Sequence, residues 1–546
     1  MGRFATAGRL TIGTTLAALC LYAPVAMAAA DLAQKSVDGS WQRAESAHFI
    51  VYSNNGEAKT RDYVSKLEAF NTVARSFYHR IAQSEITNTN KPVFYYFAKL
   101  DQANAVTPVW KEGFSPDKSC RDGAENFWLG ADDQIDDDQI EAFQFRGLNN
   151  SVFHDYDVDD MPKWLSSGLF FYLETANIKD DLIHLGKPSR YQFEYSDDNL
   201  YMNGYPEKRS LMGKNDRIPF AEIISGKYSN PKKTGSVPGQ NWLVAHYMMT
   251  NSENLGKLYA YVDDYGAGMD SMAAWKKDVG IDPTFFDGLL TQYMTKGVGE
   301  VTYKVIPLKD GDVTFTLLKK SSEPVPLLSA GTQMCPTEAY AGTLLKRLKT
   351  AYDENPGDAY TQREYARAQV LLGNSAEAVP YLSAASAEKT ADFDVHYLLG
   401  RAYLKQAQQG TDAQANYRHA RAELGSGYQL NPTYAPLLYY YAKSFADRPD
   451  YPNDNTVTAA QTAYDLVKDS DYVMYAAELY ARRGMYDDMH ETLESFSMYQ
   501  ASRYYVVSHQ IYDAVDAHKP KDEIVAMFAD FTDNPYAVYK KPDAKK

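Results

Sequence analysis

The ten histidines of this 546-residue chain include no H-E-x-x-H and no H-x-x-E-H arrangement. Those spacings matter because two imidazoles on one helix face bind zinc while the glutamate takes a proton from the metal-bound water. His154, followed by Asp155, and His184, in the apolar run Leu182–Leu185, are the histidines that could converge with a further carboxylate in a folded cleft. His490-Glu491 lies in a helical pattern, where a solvated charged face is expected. Asp132, Asp133, Asp136, Asp137 and Asp138, with Asp155, Asp157, Asp159 and Asp160, make an acidic neighbourhood. Calcium takes several oxygen ligands, but no D-x-D-x-D-G loop is present, so a solvated acidic surface is the expectation. The chain has no G-x-S-x-G elbow and no phosphate-binding G-x-x-x-x-G-K-[ST] loop. Cys120 follows Lys118-Ser119 without a histidine nearby in sequence, so nothing marks it as a nucleophile.

The elements that would position these residues differ between two halves. His48–Ser53 alternates with β-branched and aromatic residues, which predicts a strand. Val64, Leu67, Phe70, Val73 and Phe77 recur at steps of three and four, which predicts an amphipathic helix over Ala58–Ile81. Strands are expected at Val93–Ala98 and Glu125–Leu129. Helices are expected at Asp137–Phe153, from Pro162 through Ala176, and from Gln240 through Phe286 and beyond. Strand, helix, strand and then helices read as an α+β domain over residues 31–320. Residues 321–336 hold Ser321-Ser322, Pro324, Pro326, Gly331 and Pro336 and read as a linker. Residues 337–531 are helical throughout, and 532–546 read as a frayed tail.

Length suggests two to four domains. Apolar residues at 45% and charged residues at 23% exclude wholesale disorder. A net charge of −15 argues against nucleic acid as a partner, since counterion release needs clustered cations. Arg3 and Arg9, the uncharged run Leu10–Val25 and Ala26-Met27-Ala28 come in the order of a secretory signal peptide, 1–28. Its removal would take the charge to −17, because it carries two arginines and no acid. No later segment has the roughly 18 apolar residues that a spanning helix needs. Cys120 and Cys335 would remain, in an oxidising compartment where they could pair. Spacing alone does not say whether their Cα atoms come within bonding range.

The second half repeats itself. Asn355-Pro356-Gly357-Asp358 precedes Tyr365-Ala366-Arg367-Ala368 and Leu371-Leu372-Gly373. Asp394 opens a unit with Tyr397-Leu398-Leu399-Gly400-Arg401-Ala402-Tyr403. Leu430-Asn431-Pro432 opens a third, and Asp471 a fourth. Starts near 358, 394, 433 and 471 are 36, 39 and 38 residues apart. The pattern resembles tetratricopeptide repeats, whose period is about 34, with the excess placed in loops at Gln406–Thr411 and Asp447–Asn455. Among the 44 tyrosines most should fill gaps between helices. Tyr360, Arg363, Tyr397, Arg401 and Tyr440 are the candidates for lining a concave peptide-binding face.

The first half resembles secreted zinc-peptidase-like proteins of the gluzincin type, which are often fused to such repeats. The resemblance runs through Trp41, His48-Phe49-Ile50-Val51, Pro162-Lys163-Trp164-Leu165-Ser166-Ser167-Gly168-Leu169-Phe170-Phe171-Tyr172, Trp242–Met248, Tyr261-Val262 and Ala274-Trp275 to Tyr293. It implies an H-E-x-x-H helix and a third ligand, a glutamate, in P-x-W-x-x-E-G. Here Ser167 stands at that glutamate's place. With His154 as first histidine, Asp155 replaces the glutamate and Val158 the second histidine. With His154 as second, Asn150 and Ser151 replace the first histidine and the glutamate. Neither register keeps more than one histidine, whereas a catalytic zinc wants three protein ligands and a water.

The expectation is therefore a peptidase-like α+β domain followed by an all-α repeat solenoid, with no cofactor and no metal. It would be an exported, non-catalytic binding or scaffold protein, periplasmic or secreted, with a protein or peptide partner in the cell envelope. The alternative is a metal-dependent hydrolase or peptidase with a rearranged site near His154.

Overall fold

The computed structural model describes residues 40–82, 90–99, 127–131, 145, 148–149, 152–153, 156, 161–187, 193–196, 199–202, 209–212, 217–227, 237–333, 336, 338–467, 470–494 and 503–529. A β-hairpin comes first, β1 (Gln42–Glu45) and β2 (Ile50–Ser53). The long helix α1 (Gly56–Ala82) carries the chain across to β3 (Val93–Phe97), which pairs in parallel with β2. β4 (Phe127–Ala131) lies parallel to β3, two residues later than the sequence expectation. The helix expected at Asp137–Phe153 is described only at Phe145, Leu148, Asn149, Val152 and Phe153, all helical.

One helix and two short strands follow. They are α2 (Lys163–Leu173), then β5 (Asn177–Lys179) and β6 (Leu182–Leu185). β7 (Phe193–Ser196), β8 (Asn199–Met202) and β9 (Arg209–Met212) form an antiparallel sheet of their own. The helical run expected from Gln240 is broken into pieces, after a short helix α3 (Phe220–Ser225): α4 (Val237–Met249), α5 (Ser252–Gly266), α6 (Ser271–Asp278) and α7 (Pro283–Thr295). Asn251, Asp270 and Asp282 each accept a bond from the helix they precede, which fixes those breaks. β10 (Val301–Lys304) pairs with β6, and β11 (Thr314–Leu317) pairs with β1 to complete a five-stranded sheet in the order β11-β1-β2-β3-β4.

Both faces of that sheet are covered, which explains the unbroken apolar run Val93–Phe97. Phe94 and Tyr96 join Val51, Phe70 and Trp164 in the larger core. Tyr95 and Phe97 point the other way, into a second core with Trp41, Val325, Leu328, Leu344 and Leu348. Here the sequence expectation needs correction. The stretch 321–336 is not a free linker: it contains helix α8 (Val325–Gln333), whose residues Val325–Thr332 are all buried. Pro324 and Pro326 misled because proline in or just before a first turn does not break a helix. Asp358 accepts bonds from Ser322 Oγ (2.7 Å) and from the Thr361 amide (2.9 Å), tying this stretch to the first repeat.

From there the chain is a stack of antiparallel helices. In order they are α9 (Glu338–Glu354), α10 (Ala359–Leu371), α11 (Ser375–Ser386), α12 (Phe393–Gln408), α13 (Ala413–Leu430), α14 (Ala435–Lys443), α15 (Asp454–Leu466), α16 (Ser470–Arg483), α17 (Tyr486–Glu494), α18 (Arg503–Asp516) and α19 (Lys521–Ala526). Each packs on the next, and α10, α12 and α14 also pack side by side as one layer. Gly400 is required there, since a Cβ would sit 2.5 Å from Leu424 Cγ across the α12–α13 crossing. Part of the excess length lies in helix rather than loop, because α12 continues to Gln408 and α13 is 18 residues long.

Candidate functional site

Helix α2 carries Trp164, Ser167 and Gly168. Pro162 precedes it, and its carbonyl accepts from the Leu165 amide at 2.7 Å. Trp164 is buried against Phe220 and Trp275, and its Nε1 donates to the Tyr261 hydroxyl at 3.0 Å. A Cβ on Gly168 would lie 2.5 Å from the Asn241 carbonyl oxygen and 2.9 Å from Ala245 Cβ. Trp164 and Gly168 therefore serve the packing of α2, Gly168 at its crossing with α4. Ser167 is half-buried on the same helix. His154, Asp155 and Val158 lie outside the described residues, as do Cys120 and Cys335. Among the described residues no three of His, Cys, Asp and Glu converge in a way that could hold a metal ion. His184 sits on β6, as its apolar neighbours suggested, and its Nδ1 lies 3.4 Å from Glu300 Oε1.

A histidine that the spacing arguments passed over is deeply enclosed. His246 on α4 has no exposed surface. Its Nε2 lies 3.0 Å from the Gly299 carbonyl oxygen, which can only accept, so Nε2 carries the proton. Nδ1 then accepts from the Tyr293 hydroxyl at 2.7 Å. Trp242 and Tyr172 pack on the ring at centroid distances of 5.2 and 5.8 Å. Burial pushes the imidazole down to about 4, so it is neutral at pH 7. Its only signal in the sequence is a histidine inside the otherwise apolar run Trp242–Met249.

On the repeats the five candidate residues separate. Tyr360 on α10 faces the N-terminal sheet: it stacks on Tyr52 at 5.5 Å, and Tyr52 stacks on Tyr95 at 5.4 Å. Burial drives the Tyr360 hydroxyl well above the usual phenol range, and that hydroxyl has no partner among the described residues. Arg363 is held by Asp392 at 2.9 Å, and Arg367 by Asp394 at 2.7 Å, linking α10 to α12. Glu364 accepts from Ser329 of α8. Tyr360 and Arg363 are thus engaged within the chain rather than offered as a free face.

The other three meet. Arg401 donates from Nη1 to the Tyr397 hydroxyl at 2.8 Å and from Nη2 to the Tyr440 hydroxyl at 2.9 Å. Its guanidinium carbon lies 4.2 Å from the Tyr440 ring centroid. Lys443 continues the strip, 4.6 Å over Tyr439 and 5.2 Å over Tyr475. Tyr397 is fully buried, while Arg401 and Tyr440 are half-buried. Lys443, Tyr439 and Tyr475 are buried as well, so Arg401 and Tyr440 are the half-exposed members of this strip; nothing in it is arranged as a nucleophile with a base.

No family model and no curated protein matches the chain. Among solved structures, the chain is similar to a thermophilic TPR protein of Thermus thermophilus, at 20% identity, over 32% of this chain and 90% of that one, with a TM-score of 0.28.

Proposed function

We propose that this chain is an exported, non-catalytic binding or scaffold protein whose helical repeats hold a protein or peptide partner. The observation that carries the reading is the strip across α12, α14 and α16, where Arg401 and Lys443 bridge tyrosines of neighbouring helices. Helix stacks of this kind bind along such a layer. The N-terminal domain is then a gluzincin-like domain with a degenerate motif. In support, Trp164 and Gly168 of that motif are accounted for by packing, and Ser167 cannot replace a glutamate as a zinc ligand. Residues 1–28 act as the signal peptide, and the periplasm of a Gram-negative bacterium or the exterior is the site of action. Among the described residues no helix is long and apolar enough to cross a membrane.

The test is metal stoichiometry. The mature chain is incubated with excess zinc, desalted and analysed by mass spectrometry beside His154→Ala. No stoichiometric zinc is expected. One tightly bound zinc per chain, lost in His154→Ala, would replace this reading with a metal-dependent hydrolase.

A further inference from the structure

We propose that the N-terminal domain holds a small aliphatic zwitterion, an amino acid or short peptide with a free carboxylate and a free ammonium, in a cavity between Lys91 and Asp312. The site lies outside the repeats and does not depend on what they hold.

A cavity of about 490 Å³ opens where the β1–β2 turn, α1 and the segment ahead of β3 meet the loop between β10 and β11. Its charged lining is Glu45, Glu68, Lys91 and Asp312. Two of the carboxylates are already engaged within the chain. Glu45 takes Lys91 Nζ at 2.7 Å on Oε1 and Arg43 Nη1 at 2.6 Å on Oε2. Glu68, buried on α1, accepts from the His48 amide at 3.0 Å on Oε1, and its Oε2 lies 2.6 Å from His48 Nδ1. These two residues hold the β1–β2 turn in place and offer nothing further to a ligand.

Lys91 and Asp312 are engaged only in part. An ammonium has three N–H donors, and the chain takes two from Lys91, at Glu45 Oε1 and at the Ser46 carbonyl oxygen 2.8 Å away. Asp312 accepts from the Lys309 amide on Oδ2 at 2.6 Å, which closes a turn in the loop. Among the described residues nothing takes its Oδ1 or the third Lys91 proton, and the two side chains form no ion pair although they line one cavity. Opposite charges that face one space without meeting suit a ligand that carries both. Its carboxylate accepts the Lys91 proton and its ammonium donates to Asp312 Oδ1, each a charge-assisted bond. Ala47 and half-buried Leu308 supply an aliphatic wall for an alkyl side chain. A simple anion or cation would answer only one of the two charges, and a hard metal ion takes several oxygen ligands where one carboxylate stands open.

Isothermal titration calorimetry on the full mature chain tests the site with leucine and with alanyl-leucine. Beside them run N-acetyl-leucine, which lacks the ammonium, and leucinamide, which lacks the carboxylate. Saturable binding of leucine or alanyl-leucine is expected, weakened about tenfold or more by either block, as loss of one charge-assisted contact gives. The tighter of the two zwitterions tells a free amino acid from a short peptide. Asp312→Asn keeps an acceptor for the Lys309 amide at an exposed position, so the fold should survive. It should weaken the zwitterion by a similar factor and leave N-acetyl-leucine unchanged. Lys91→Met should do the converse, weakening the zwitterion and leaving leucinamide unchanged. No saturable binding of either zwitterion to wild type would overturn the site, as would equal affinity in folded Asp312→Asn. Neither readout involves zinc or the repeats, so a failure here leaves the proposed function standing.

Discussion

Tyr52 of the N-terminal sheet and Tyr360 of the first repeat helix stack with ring centroids 5.5 Å apart and planes inclined at 28°. They are far apart in sequence, and their contact, with Trp41, Tyr95 and Phe97 packed beside Leu344 and Leu348, makes the sheet the floor of the repeat stack. Tyr360→Ala removes a stacked aromatic from this junction. It should destabilise the chain by about 2–4 kcal/mol, as large-to-small changes at buried aromatics do. Tyr360→Phe should cost far less, because the hydroxyl has no partner among the described residues. Urea unfolding followed by circular dichroism measures both; equal losses for the two variants would contradict the stacking account.

The Arg401 bridge makes a prediction about coupling. Tyr440→Phe removes one hydrogen-bond acceptor and should cost about 0.5–1.5 kcal/mol. Arg401→Ala should cost more, since both hydroxyl contacts and the ring contact go together. The double variant should lose less than the sum of the singles, by about 0.5 kcal/mol or more. Strict additivity in a double-mutant cycle would show that the two side chains do not act as a pair.

Gly168→Ala tests the α2–α4 crossing. The added Cβ would lie 2.5 Å from the Asn241 carbonyl oxygen, a backbone atom that cannot rotate aside. The helices must separate, at a cost of about 1–3 kcal/mol or more. Thermal unfolding should show a lowered midpoint, while Ser167→Ala, one residue earlier and half-buried, should change it little.

His246 predicts a pH dependence with a definite sign. Its folded value is about 4 against an unfolded value of 6.5. The unfolded chain therefore binds more protons between those values, so stability falls as pH drops from about 6.5 towards 4. The contribution is fully present above about 6.5 and amounts to about 3 kcal/mol, at 1.36 kcal/mol for each unit of separation. His246→Gln should be less stable than wild type at pH 7 and should lose less on going to pH 4.5. Parallel pH profiles for the two proteins would rule out this assignment.

Much of the architecture was legible in local pattern. Alternation marked Ile50–Ser53, an unbroken apolar and aromatic run marked Val93–Phe97, steps of three and four marked Gly56–Ala82, and repeated Leu-Gly and Asn-Pro signals placed helices beginning at Ala359, Phe393, Ala435 and Ser470. These signals survive in sequence because they reflect which face of one element is buried, a property of residues close together in the chain. β1 and β11 left no such mark: they are four residues each, and strand pairing between distant segments decides them. The linker expectation at 321–336 failed for the same reason, since the burial of Val325–Thr332 is set by the sheet beneath it.

By itself the sequence determined that Trp164 and Gly168 stand four residues apart after Pro162, and that helical units follow. Only the tertiary structure decided what the candidate residues do. It turned Tyr360 onto Tyr52, committed Arg363 to Asp392, and brought Arg401 between Tyr397 and Tyr440. Residue type states what a side chain can bond to; which partner it meets depends on how distant helices and strands pack, and no local pattern encodes that.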